Sequence, residues 1–233
     1  MFEDELTSRG IPYCVSGAGN LSVTSNAGIA ASRTEKVVVT DSDTLFGEGT
    51  VTAMSEALDD FQVCRARLLF ETSRDIRLSG PVSNAREFVN SKRLAFTPGL
   101  GMRKTVGGMV GGRIFDEASP FAVDANLNYR LNRAGIEVCY LDRTITHRAE
   151  DVRHDLRAAR RIGDGVVRGS ESLYGFYGGA VDRGEIRRSL KAVHFRDYPQ
   201  ILRRYGVPTM LYQALWDASF YLGEAGAMVG GGR

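Results

Sequence analysis

The 233-residue sequence holds only three cysteines, Cys14, Cys64 and Cys139, far apart and odd in number. They give neither a disulfide framework nor a metal-ligand spacing, and they fit reduced thiols in a cytoplasmic setting. Excess charge is also missing: 30 Lys and Arg stand against 28 Asp and Glu, for a net charge of +2. That balance makes no global case for nucleic acid. No apolar stretch reaches the ~18 residues that a spanning helix needs. The start, Met-Phe-Glu-Asp-Glu-Leu, has neither the basic nor the apolar region of a secretion signal. Internal repeats and low-complexity tracts are absent as well. What is present is an ordinary composition, 43% hydrophobic and 25% charged, enough for one sizeable domain with an appended helical segment.

The most informative stretch is Lys36 to Phe46, Lys-Val-Val-Val-Thr-Asp-Ser-Asp-Thr-Leu-Phe. Its β-branched run predicts a buried strand that stops at two carboxylates, Asp41 and Asp43. In an open α/β sheet, ligands sit beyond the carboxyl ends of the strands. Paired hard oxygen ligands there suit Mg²⁺ or Mn²⁺ holding a phosphate. A strand running into an Asp-Ser turn is the plain alternative.

Around it the pattern alternates. A short strand is expected over Ile11 to Val15, a turn at Gly17-Ala-Gly-Asn20 and a helix over Leu21 to Ala31. A helix over Gly47 to Asp59 and a strand over Gln62 to Phe70 follow. Strand and helix in alternation at this spacing predict an α/β layered sheet. Thr72 to Lys104 is weakly patterned, with helical content around Asn84 to Leu94. Gly99-Leu-Gly101 and Gly107-Gly108-Met-Val-Gly111-Gly112 let backbone approach a ligand, although no Walker lysine follows. Asp124 to Ala134 reads as a helix stopped by Gly135, and Ile136 to Leu141 as a strand with His147 beyond it. By itself a lone histidine in that place is more often structural than a ligand.

Beyond residue 150 the composition changes, so the expected division is 1–150 for the sheet domain and 151–233 for a helical extension. Glu150 to Gly169 reads as an arginine-rich helix ended by Gly163 and Gly165, its arginines able to face phosphate or anionic lipid, although a solvated helix face is the commoner explanation. Arg183 to Phe195 reads as a further helix. Pro199 to Val229 reads as an aromatic-rich amphipathic helix, able to lie on a membrane surface or to pack against the domain or a second copy.

In their order these features resemble the family 2 glycosyltransferases, of GT-A fold, over roughly residues 10 to 150. Ser25-Asn26-Ala27-Gly28 is similar to the family's Asn-x-Gly helix, and Val37 to Asp43 to its strand ending in Asp-x-Asp. Gly107-Gly108, Phe121-Ala-Val-Asp124, the helix ending Tyr129-Arg130-Leu131-Asn-Arg-Ala-Gly135, and His147 resemble the parts that follow. The resemblance implies a Rossmann-like mixed sheet flanked by helices, with a helical C-terminal extension. It implies a UDP- or GDP-sugar donor, a glycan or lipid-linked acceptor and a divalent cation, Mn²⁺ or Mg²⁺. Asp43, Asp41 and His147 would hold the metal, and Asp124 would be the general base of an inverting transfer. Asn26, Gly28, Asp41, Ser42, Gly107 and Gly108 would shape the donor pocket. A cytoplasmic protein is expected, peripheral at the inner face of the membrane, with no nucleic-acid partner.

Three departures stand out. No strand–helix–strand unit precedes Ile11, Ser25 replaces an arginine, and Val123 replaces a frequent glutamate. The first makes a homo-oligomer, or a partner chain that supplies the missing unit to a non-catalytic or split remnant, the non-enzyme alternative. No Gln-x-x-Arg-Trp occurs, which argues against a processive synthase. The enzyme alternative is a haloacid-dehalogenase-type phosphatase, which the Asp41-Ser-Asp43 opening also resembles, without that family's downstream Lys and acidic pair.

Overall fold

A computed structural model describes residues 2–16, 19–92 and 95–230. Part of the expected turn at Gly17-Ala18, and the Leu94 end of the expected helix, lie outside them. In chain order the elements begin with α1 (Phe2–Ser8), α2 (Leu21–Ala31), β1 (Lys36–Val39), β2 (Thr44–Phe46) and α3 (Thr50–Asp60). Next come β3 (Val63–Phe70), α4 (Ser79–Ser91), β4 (Leu100–Arg103), α5 (Val106–Met109), α6 (Val123–Arg133) and β5 (Val138–His147). The chain ends in α7 (Val152–Phe176), α8 (Arg183–Leu190), a 3-10 turn (Phe195–Asp197) and α9 (Tyr198–Gly230).

The five strands form one mixed sheet in the order β1-β4-β3-β5-β2. β4 is antiparallel to both β1 and β3, whereas β3 and β5 are parallel and β2 is antiparallel to β5. Alternation along β3 decides what covers each face. Val63 shares a core with Met102, Val138, Leu127 and Leu131, so α6 covers one side. Cys64, Ala66 and Leu68 share the other core with Met54, Leu58 and Phe88, which puts α3 and α4 on the opposite side. The expected α/β architecture, a mixed sheet flanked by helices with a helical C-terminal part, is the one observed.

Several local expectations need correcting. Ile11 to Val15 forms no strand; Ile11, Tyr13 and Val15 are exposed. Its β-branched and aromatic residues are compatible with a strand, but nothing described pairs with them. The glycines at 99 and 101 belong to β4 and its approach, not to a ligand loop. A Cβ on Gly101 would stand 2.7 Å from Cys64 Sγ and 3.0 Å from Met54 Cε, so this strand position is glycine because α3 packs there.

Nor do Gly163 and Gly165 end α7, which runs 25 residues to Phe176. A Cβ on Gly163 would overlap the Phe220 carbonyl oxygen, and one on Gly223 would overlap that of Arg160. Two glycines thus let α7 and α9 touch backbone to backbone, and the packed core of Ala159, Val166, Tyr212, Trp216 and Phe220 outweighs their poor helix propensity. Gly163→Ala is expected to lower stability by about 1–3 kcal/mol through overpacking. Urea denaturation followed by circular dichroism measures this, and an unchanged midpoint would contradict the packing account.

α9 changes course once, at Gly206 (φ 82°), just before Pro208. Its aromatic face is buried on α7, while Val207, Leu211, Leu215 and Leu222 remain exposed on another. Among the described residues no helix is long and apolar enough to cross a membrane.

Candidate active site and metal centre

Because β1, β3 and β5 point the same way, their carboxyl ends open at one edge of the sheet. Asp41 and Asp43 follow β1, Phe70 ends β3, and His147 ends β5. The β2–β5 pairing sets Thr44 opposite His147, and the Arg148 N–H donates to the Asp43 carbonyl (3.1 Å). Thr44 Oγ1 donates to the Asp41 carbonyl (2.7 Å), which shapes the turn between the two acids. Sheet register, and not adjacency in sequence, therefore brings the histidine to the carboxylates. One ligand atom from each of Asp41, Asp43 and His147 lies within 4.8 Å of the others.

The donor set fits a divalent cation. His147 Nδ1 is 2.8 Å from the Arg148 carbonyl oxygen, where it can only donate. In the neutral ring the lone pair is then on Nε2, the orientation usual for a metal-binding histidine. Nε2 faces Asp43 Oδ1 at 3.4 Å and Glu150 Oε1 at 3.7 Å. Asp43 Oδ1 is buried and accepts no hydrogen bond among the described residues. Although water reaches Asp41, the surrounding protein pushes its carboxyl pKa up, and Asp43 adds to this; Asp124 and Glu150 act in the same direction and His147 opposes them. Such crowding of negative charge is relieved by a bound cation.

Asp41 and His147 line a cavity of about 420 Å³ with Asp124 and Glu150. Asp124 sits in the first turn of α6, where the helix dipole favours its charge, and its Oδ1 accepts from the Ala125 N–H (2.9 Å). Arg86, His154, Arg161 and Trp216 also stand on its wall. Arg161 lies in the arginine-rich stretch and Trp216 in the aromatic-rich one, but neither they nor Arg86, His154 or Glu150 were expected at this site, although a carboxylate three residues beyond His147 was a usable signal. Among the described residues no lysine lines the cavity.

The other expected site residues lie elsewhere. Ser42 is exposed in the turn between Asp41 and Asp43. Gly28 lines a second cavity along β1, which shares Leu21 with the acidic one. Asn26 and Gly107 line a third, which shares Ile29 with the second. Asn26 is fully engaged there: it donates to the Phe115 carbonyl (2.8 Å) and accepts from the Phe115 N–H (3.0 Å). Gly108 is exposed in α5. Arg130, from the helix motif, clamps the carbonyls of Val110 (3.1 Å), Arg113 (2.8 Å) and Ile114 (2.5 Å).

No family model matches the chain, and no curated protein matches it. Among solved structures it is similar to TarS from S. aureus, a glycosyltransferase. The two are 13% identical with a TM-score of 0.45, over 97% of this chain and 47% of TarS. The chain thus spans about half the length of that protein.

Proposed function

We propose that the chain is a metal-dependent, inverting glycosyltransferase of GT-A type that moves a sugar from a UDP- or GDP-sugar to the hydroxyl of a glycan or lipid-linked acceptor. The observation that carries this reading is the Asp41–Asp43–His147 cluster, opening into the same cavity as Asp124. A bound Mn²⁺ or Mg²⁺ would neutralise charge developing on the departing diphosphate. Asp124 takes the proton of the acceptor hydroxyl while its oxygen forms the new bond to the anomeric carbon and the bond to the diphosphate breaks. Ser42 contacts the donor in this reading, Asn26, Gly28 and Gly107 support it from the adjoining cavities, and Gly108 follows Gly107 in α5.

Calorimetric titration of UDP and GDP, with Mn²⁺ and again with EDTA, tests the proposal. Metal-dependent binding is expected; equal binding in EDTA would count against it. Asp124→Asn is expected to leave that binding unchanged and to lower transfer at least about 100-fold, as loss of a general base does. Full activity in this variant would remove Asp124 from the mechanism.

A second reading rests on β1. Among the described residues it pairs only with β4, so its outer edge is open beside the cavity of about 550 Å³ formed with α2. Open edges invite strand addition. A second copy or a partner chain that pairs there would complete the donor pocket, and light scattering showing a strict monomer that still binds metal and nucleotide would argue against it.

A further inference from the structure

Next to the acidic cavity lies a basic one. It has a volume of about 690 Å³ and lies between α7 and α9, with His154, Arg157, Arg160 and Arg161 on one wall and Leu222 on the other. Phe121, His154 and Arg161 line both cavities, so the two adjoin. Arg161 stacks over the Phe121 ring, 5.4 Å from its centre, which places that guanidinium at the junction.

Charge balance within the basic cavity is lopsided. Among the described residues no carboxylate pairs with Arg157, Arg160 or Arg161, and the only acid on the lining, Asp164, is held by Arg168 Nε at 2.9 Å. Arg160 and Arg161 follow Arg157 by three and four residues on α7, so each neighbours it one turn on, and like charges so spaced repel. Guanidinium forks match the oxygens of phosphate esters in geometry as well as charge. All three are exposed, yet they border a cavity that adjoins the one holding the candidate catalytic base.

We infer that the α7–α9 cavity is a subsite for a phosphate-type anion carried by the acceptor, with Arg157, Arg160 and Arg161 as its ligands. Anion binding stands on these residues alone; its assignment to the acceptor rests on the glycosyl-transfer reading. The phosphate belongs either to a soluble phosphate ester or to a lipid headgroup, beside which the exposed Leu222 would meet the acyl region.

The test is calorimetric titration of inorganic pyrophosphate into the full chain in EDTA, which disables the metal centre. Binding is expected in the wild type and in Asp43→Ala. It should weaken at least about tenfold in Arg157→Gln/Arg160→Gln, with Arg203→Gln/Arg204→Gln as the charge-matched control. Sedimentation with phosphatidylcholine vesicles, with and without phosphatidic acid, forms the second arm. Binding only to phosphatidic acid vesicles, lost in the same double variant, would support the subsite and identify the anion as a headgroup. No binding in either arm, or binding equal in wild type and double variant, would overturn it. Both arginines are exposed, so the variant should fold, and its Mn²⁺-dependent UDP binding should match the wild type. Loss of UDP binding in the wild type, with pyrophosphate binding intact, would sink the glycosyl-transfer reading and leave the anion site standing.

Discussion

Asp43→Ala is expected to abolish Mn²⁺ binding, with affinity falling more than about 100-fold. The bound is set from below: losing a residue that merely orients a metal ligand costs 10–100-fold, and Asp43 would be a ligand itself. Its Oδ1 is buried, accepts no hydrogen bond among the described residues and faces His147 Nε2 at 3.4 Å, nearer than the Glu150 carboxylate at 3.7 Å. His147→Ala should weaken binding comparably, because the ring's other nitrogen is already committed to the Arg148 carbonyl. Glu150→Gln, farther out at 3.7 Å from Nε2, should have the smaller effect of about tenfold. Electron paramagnetic resonance of free Mn²⁺ during titration reads all three. Equal affinity in wild type and Asp43→Ala would reduce the cluster to an acidic surface turn, and the proposed function would lose its main support.

How much of this was legible in the sequence depends on the range of the forces involved. α2 was placed at its observed ends, and its start is fixed locally: the Asn20 side chain accepts from the N–H groups of Ser22 (2.9 Å) and Val23 (3.3 Å). β1 and β3 carry enough β-branched and apolar residues to declare themselves. β2 and β4, three and four residues long, do not; each is a strand only because a neighbour's ladder holds it. The run through Gly163 and Gly165 fails as a helix by propensity and succeeds by contact with α9. At the site, Asp41, Asp43 and His147 were visible as a pattern. Glu150, three residues beyond His147, was within reach of the same pattern and was missed, whereas Arg86 and Arg161 reach the cavity through the placement of α4 and α7, which no short motif encodes.

That placement hangs on one buried carboxylate. Asp155 of α7 is fully buried, pairs with Arg86 of α4, and accepts a hydrogen bond from the Tyr212 hydroxyl of α9. Burial pushes the Tyr212 phenol up to about 12, so it stays a donor at any ordinary pH. Asp155→Asn keeps the shape but strips the guanidinium of its counter-charge in a site with little water, and breaking such a pair costs about 3–5 kcal/mol. For a chain of this size that lowers the melting temperature by on the order of 10 °C. A change below about 1 kcal/mol in urea denaturation would show that the network does not tie the helices together. Replacing both partners, as Arg86→Met/Asp155→Leu, should recover much of the loss, since no charge is then left buried alone. The two variants separate stability from position: Arg86 lines the acidic cavity and stacks 5.7 Å from the Trp216 ring centre. A stable double variant with altered nucleotide or acceptor binding would mean that the helical part serves the site by aiming Arg86, not only by holding the sheet.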